Sequence, residues 1–344
     1  MWTFVWKIGW DHFDHNKLTD FWEQNFAQNK QNHVFYHPQM IFAWLQTYKT
    51  LRNIRPILCI AQKNDNIAFL PLCIWKMNWK NVFLKKLINI GYSDFDYADP
   101  HSSFSLTESE LNDFWQQFNS QIPQTILRQI DIVNISGITA NLQSEMKSTE
   151  QCPYLELSQF QCNIDNLLQS FSTSLRGDIR RQHRRMSEKG VVEFVVIQDI
   201  KDALLQLPIF LHHHAQRWKN AYKAPFFHEN ILKYTLEKKK SHFSVLLINK
   251  EPISWHLGFT FNKTFYYYMP AINMEFEKLS PGKVHLLKLH EWCLEKNYEI
   301  FDHLRGDENY KNGWASRNKI IYNHQFCLRG FLSSLKKHIL KFKH

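Results

Sequence analysis

Apolar residues in PQMIFAWLQTYKTL, 38 to 51, recur at helical intervals and predict a helix. The apolar runs 57 to 61 and 67 to 75 flank KNDN. That is a hairpin signal, because Asn and Asp tolerate the left-handed backbone of a tight turn. A helix follows over 108 to 121, and ILRQIDIVNI, 126 to 135, reads as a buried strand. The polar segment 136 to 153, closing on Pro153, is the best domain boundary, giving domains 1–150 and 151–330 with a basic tail 331–344.

The second half is patterned more sharply. Ser172 or Ser174 caps a helix running to about Lys189, and Gly190 is a natural terminator. Strands are expected at 191–197, 243–249, 253–261 and 264–271, with helices near 201–219 and 228–239 and a tight reversal at KEP. A helix over 282–296 then leads to a strand at 298–304. This order implies an α/β fold with a mixed sheet and its ligand cleft near the strand ends.

With 344 residues, 44% of them hydrophobic, the chain can bury a substantial core. No apolar run approaches the roughly 20 residues that span a bilayer. The start, MWTFVWKIGWDHFDH, lacks the pattern of a secretory signal, so a cytoplasmic protein is expected. The six cysteines, Cys59, Cys73, Cys152, Cys162, Cys293 and Cys327, show no CxxC and predict buried reduced thiols. A formal charge of +10 suits polyanionic partners such as phosphorylated cofactors, RNA or anionic lipid; a base-composition bias of the gene explains it equally well. The tail FLSSLKKHILKFKH, 331 to 344, carries apolar residues at helical spacing with four lysines. It fits a peripheral contact at the inner membrane surface or a helix packed on the domain.

Two segments concentrate the chemistry: SPGK at 280 to 283 and FDHLRGDENYKNGW at 301 to 314. With HVFYHPQMIFAWLQTY (33 to 48), GYSDFDYADP (91 to 100), SLRGDIRRQHRRMSEKGVVEFVVI (174 to 197) and HHHAQRW (212 to 218), they occur in an order that resembles the CelD/BcsL-like acyltransferases. These form a branch of the GNAT (N-acetyltransferase) superfamily related to the Fem peptidyltransferases. The resemblance implies two GNAT-like domains in tandem, the C-terminal one active. It implies an acyl-coenzyme A donor, no metal, and an amine acceptor linked to a sugar in cell-envelope polysaccharide assembly. The Fem relationship carries a second implication, an aminoacyl-tRNA donor. A non-catalytic protein at the membrane surface is the alternative from a different class.

Residue by residue, Ser280, Gly282 and Lys283 open a helix whose N-terminal N–H groups and dipole favour a phosphate. Related acetyltransferases have a richer Q/R-x-x-G-x-G/A pattern there; this chain keeps one glycine, and an ordinary helix start is the alternative. Acyl transfer needs a base, an oxyanion donor and a leaving-group acid. Asp302 stands at a strand end, Tyr310 is the candidate acid, and Lys311 matches the lysine that follows an aromatic in the Fem enzymes and stabilises the intermediate there. Alternatively Asp302 and Arg305 pair to fix the loop, with Tyr310 and Trp314 packed beneath. Arg176, Arg180 and Arg184 share a helix face, with Arg181 and Arg185 beside it, either solvated or facing the acceptor's phosphate. Arg217, Trp218, Tyr267, Arg305 and Asp307 complete the candidate substrate contacts. His256 is more simply a core histidine than a base, and three successive histidines at 212 to 214 cannot face one metal from a helix. RGD at 176 to 178 and 305 to 307 is no adhesion ligand in a cytoplasmic protein, and HEWCL lacks the second His of a zinc helix.

Overall fold

The computed structural model describes residues 1–79, 82–142, 146–219, 224–306 and 308–327, so Asp307 and the basic tail 331–344 lie outside the described residues. The described residues form two compact units, 1–150 with 320–327, and 151–319. Residues 320–327, given to the second domain by the sequence pattern, thus cluster with the first.

The first unit runs β1 (Thr3–Ile8), α1 (His15–Phe26), α2 (Pro38–Arg52), β2 (Arg55–Lys63), β3 (Asn66–Trp79), β4 (Val82–Asn89), β5 (His101–Ser102), α3 (Glu108–Ser120), α4 (Gln124–Leu127) and β6 (Ile132–Ile138). Helix α2 begins on Pro38, whose missing N–H is no loss at a first helical position. It ends where Asn53 turns left-handed at φ 46°. The predicted hairpin is present as β2–β3 with register Lys63↔Asn66. The strand expected over 126–135 is shifted, because the segment after Pro123 first coils into α4 and extends only from Ile132. The sheet order is β1-β2-β3-β4-β6, antiparallel except for β4–β6, with β5 beside β3. Trp22, Phe26, Trp44, Phe69 and Trp115 are fully buried in its core.

The second unit comprises β7 (Met146–Glu156, entering it at Gln151), α5 (Ile164–Ser170), α6 (Thr173–Ser187), β8 (Val192–Ile197), α7 (Ile200–Arg217), α8 (Phe227–Thr235), β9 (Ser241–Ile248), β10 (Glu251–Phe261), β11 (Thr264–Ile272), α9 (Pro281–Glu295), β12 (Ile300–Asp302) and α10 (Asn309–Trp314). The last strand, β13 (Arg317–Cys327), returns the chain to the first unit and pairs with β6. Within this unit the strands are ordered β7-β12-β11-β10-β9-β8 and their pairing is mixed, β11 and β12 being parallel. Helix α6 is capped by Ser172, whose hydroxyl accepts from the Leu175 N–H. It buries Ile179, Gln182 and Met186 and leaves Arg180, Arg181 and Arg184 in solvent. Cys59, Cys73, Cys152 and Cys293 are buried thiols as expected, whereas Cys162 is exposed in a left-handed turn.

Candidate active site

The site begins where two parallel strands separate. β11 and β12 pair only over Thr264–Tyr266 and Ile300–Asp302, after which β11 continues to Ile272 with β10 on its other side. A β-bulge lies between Leu257 and Phe259 of β10, where a Cβ on Gly258 would stand 2.6 Å from the Tyr266 carbonyl oxygen. A two-turn 3-10 segment, Met274–Leu279, carries the chain from β11 to the start of α9. The parted strands, this segment and the neighbouring helix ends enclose a cavity of about 270 Å³.

Four separate segments line that cavity. β11 gives Tyr267, Pro270, Ala271 and Ile272; the first turns of α9 give Ser280, Gly282, Lys283 and Leu286, with Glu277 just before them. Arg217 and Trp218 arrive from the end of α7, and Tyr310 and Trp314 from α10. Seven sequence candidates therefore meet at one cavity: Arg217, Trp218, Tyr267, Ser280, Gly282, Lys283 and Tyr310.

Tyr267 and Tyr310 share a hydrogen bond between their hydroxyls. Burial raises the Tyr310 pKa, the Glu308 carboxylate raises it further, and Tyr267 and the Arg217 guanidinium pull the other way. Tyr267 is likewise raised, first by burial and then by Tyr310. Both phenols therefore keep their protons at neutral pH. His256 lies flat against Tyr267, with ring centres 4.3 Å apart and planes 11° from parallel. Its nitrogens point along the ring plane, so in this stacking it cannot exchange a proton with the Tyr267 hydroxyl, and it is a core residue, 1% exposed. Arg217 lies 4.9 Å from the centre of the Trp218 ring, which stacks on His214.

Lys283 makes a contact that the sequence did not disclose. Its ammonium pairs with Asp178 of α6, which also takes Arg181 and accepts from Gln182. The hydrogen bond from Lys283 is the main reason why the Asp178 pKa is lowered. Ser280 precedes the helix in a left-handed conformation, φ 51°, and no side chain caps the first turn. A Cβ on Gly282 would meet Ile272 Cγ2 at 3.3 Å, so glycine leaves the cavity wall clear there.

The remaining candidates lie off the cavity wall. Lys311 is 5% exposed; its Nζ donates to the Arg305 carbonyl at 2.8 Å and stands 2.9 Å from Glu308 Oε2, clasping the loop that presents Tyr310. Gly306, at φ 133°, holds a backbone conformation that a side chain would strain, and a Cβ there would displace Glu308 Oε2, 2.2 Å away. Asp302 is buried and accepts from the Leu304 N–H at 2.8 Å, a turn-forming bond. Arg180 is exposed on α6, and Arg184 forms a 3.7 Å surface pair with Glu188. Asp178, Glu277, Leu286 and Pro270–Ile272 were missed as site residues. Asp178 falls inside the 174–197 segment that carries the resemblance, but nothing in the sequence marks it apart from the arginines around it. Among the described residues no group of three His, Cys, Asp or Glu is placed to hold a metal ion.

This geometry coincides with a known domain. Residues 173–312 match the Acetyltransferase (GNAT) domain model. The GNAT segment thus runs from the first residue of α6 into α10 and contains the cavity lining except Trp314. No curated protein sequence matches the chain. Among solved structures, FemX is 11% identical with a TM-score of 0.57, over 95% of this chain and 98% of that one. A conserved protein of unknown function from Bacteroides thetaiotaomicron VPI-5482 is 9% identical, TM-score 0.52, over 92% and 97%. A tandem GNAT protein from the clavulanic acid biosynthesis pathway, solved without acetyl-coenzyme A, is 8% identical, TM-score 0.48, over 96% and 100%. The fold is mixed α/β of GNAT type, and the second unit carries a GNAT acyltransferase-like domain.

Proposed function

We propose that the second unit transfers an acyl group from acyl-coenzyme A to an amine. The observation that carries this reading is the cavity that joins an uncapped, glycine-bearing helix start to a buried pair of protonated tyrosines. The start of α9, with Ser280, Gly282 and Lys283, suits the donor's diphosphate. Where β12 leaves off, the continuing edge of β11 suits an amide-containing arm, as it would an added strand.

During transfer a C–N bond forms at the thioester carbon and the C–S bond breaks. Tyr310, held neutral by burial, donates its proton to the departing sulfur and recovers one from Tyr267 or solvent. Glu277, a carboxylate on the cavity wall, receives the proton that the amine loses, and Arg217 faces the charge that develops on the carbonyl oxygen. Lys311 acts through the loop clasp, as a positioning residue for Tyr310. The finer assignment, an amine linked to a cell-envelope polysaccharide precursor, rests on the CelD/BcsL-like resemblance.

Thermal shift with acetyl-coenzyme A tests the donor. Ligand at a hundred times its dissociation constant should add about 2.7 kcal/mol of apparent stability. No shift at millimolar concentration would remove the coenzyme A reading. The exposed arginines of α6 favour one second reading, an aminoacyl-tRNA donor. Under it, aminoacyl-tRNA would stabilise the protein where acetyl-coenzyme A does not, and Arg180→Gln with Arg184→Gln would flatten the salt dependence of binding.

A further inference from the structure

We propose that Asp178 is an internal competitor that makes the cavity's anion subsite selective for phosphates over carboxylates. The inference rests on the reading above, in which Lys283 meets the donor's diphosphate. Lys283 borders the cavity, yet its ammonium is engaged by a carboxylate from α6 that also holds the Arg181 guanidinium. One negative charge thus sits between two cations beside a helix start that has no side-chain cap. The Asp178 side chain is 20% exposed, so this contact is partly withdrawn from solvent, while Arg181 reaches it from open solution at 59% exposed.

Charge decides what can replace it. A ligand carboxylate that drew Lys283 away would exchange one unit of negative charge for another and leave Asp178 with one cation fewer, so nothing is gained. A phosphate dianion or a diphosphate offers more charge and more acceptor oxygens to the same ammonium and to the positive end of the α9 dipole, and so wins the exchange. Asp178 therefore sets a charge threshold for entry. Discrimination by a competing element, in addition to attraction, is a general route to specificity. A carboxylate that merely held Lys283 in place would act in the opposite sense, since its loss would weaken every anion.

Titration calorimetry at low ionic strength, with inorganic pyrophosphate, acetate and coenzyme A as probes, separates these cases. Asp178→Asn keeps the shape and removes the charge. Pyrophosphate affinity should rise by about tenfold, as expected for a charge removed within a few ångströms of the bound anion, and acetate binding should become measurable. Adding Lys283→Met should erase both gains. Unchanged or weaker pyrophosphate binding by a folded Asp178→Asn protein overturns the proposal and makes Asp178 a positioning residue; Asp178→Ser serves if the amide variant does not fold. If pyrophosphate behaves as expected while coenzyme A binds neither protein, the phosphate selectivity stands and the acyl-coenzyme A reading falls. Equal coenzyme A affinity in both proteins, with unchanged pyrophosphate binding, leaves that reading intact and removes this one.

Discussion

Acid should unfold the second unit well before its carboxylates are protonated. Five histidines, His242, His256, His285, His290 and His303, are buried around β10, β11 and α9, each at most 3% exposed. Burial lowers every one of their pKa values, to about 3 for His242 and His285 and about 4 for His290. His256 and His303 also fall well below the ordinary value, again chiefly through burial. A base whose folded pKa is depressed binds fewer protons folded than unfolded, so stability is complete above the unfolded pKa of about 6.5 and falls as pH drops below it. Between pH 7.5 and 5.5 each such imidazole costs about 1.3 kcal/mol, a figure set by the unfolded pKa alone once the folded value is 4 or lower. His242, His285 and His290 together cost about 4 kcal/mol, and His256 and His303 add to it in the same direction, against a whole domain stability of about 5–15 kcal/mol. Urea denaturation at pH 7.5, 6.5 and 5.5, with hydrogen exchange read over peptides from 241 to 303, measures this directly. His256→Leu should flatten the pH slope by one proton's worth. A total loss below about 1.3 kcal/mol between the two extremes, the share of one histidine, would show that the imidazoles are hydrated or charged in the native state and would refute the reasoning.

Three further outcomes are expected. Gly282→Val should weaken acetyl-coenzyme A binding in calorimetry by at least about tenfold and cost about 1–3 kcal/mol of stability, because its side chain must push into Ile272. Lys311→Met should lower stability by about 1–2 kcal/mol along with the turnover rate, since it strands Glu308 Oε2 and the Arg305 carbonyl in a partly buried loop. A full-speed melting curve beside a hundredfold rate loss would instead make Lys311 an oxyanion donor. Tyr310→Phe should slow single-turnover acyl transfer by about a hundredfold or more with donor affinity retained, and a change under about threefold would strip the phenol of its role as acid.

The parts legible in the sequence are those governed by local chemistry. Ser172 announced α6, Pro38 opened α2, and KNDN turned β2 into β3, because caps and tight turns act over a few residues. The two candidate loops also came to the same cavity, and this followed from SPGK and Tyr310 flanking a single helix and strand. Asp178 was illegible for a physical reason: its partner Lys283 lies 105 residues away, and neither position is unusual until α6 packs on α9. Lys311 was legible as a functional lysine only by resemblance; that its ammonium turns into its own loop depends on the φ of 133° at Gly306. Helix α10 was read as loop because NYKNGW is a poor helix former, and its burial of Trp314 against Phe171 and His290 overrides that propensity.

The return of β13 to the first unit has a practical consequence for dissecting the molecule. Residues 151–319 are contiguous, so the cavity-bearing half can be expressed as one uninterrupted segment. The other half cannot. A fragment ending at residue 150 would lack β13, leaving the β13-facing edge of β6 open from Ile132 to Ile138, a row of unpaired backbone groups that invites association between copies. Joining Glu150 to Ile320 by a short flexible linker should keep that edge covered, and its monomeric behaviour in gel filtration, beside aggregation of the simple truncation, would show that the strand is needed to keep this half from self-associating.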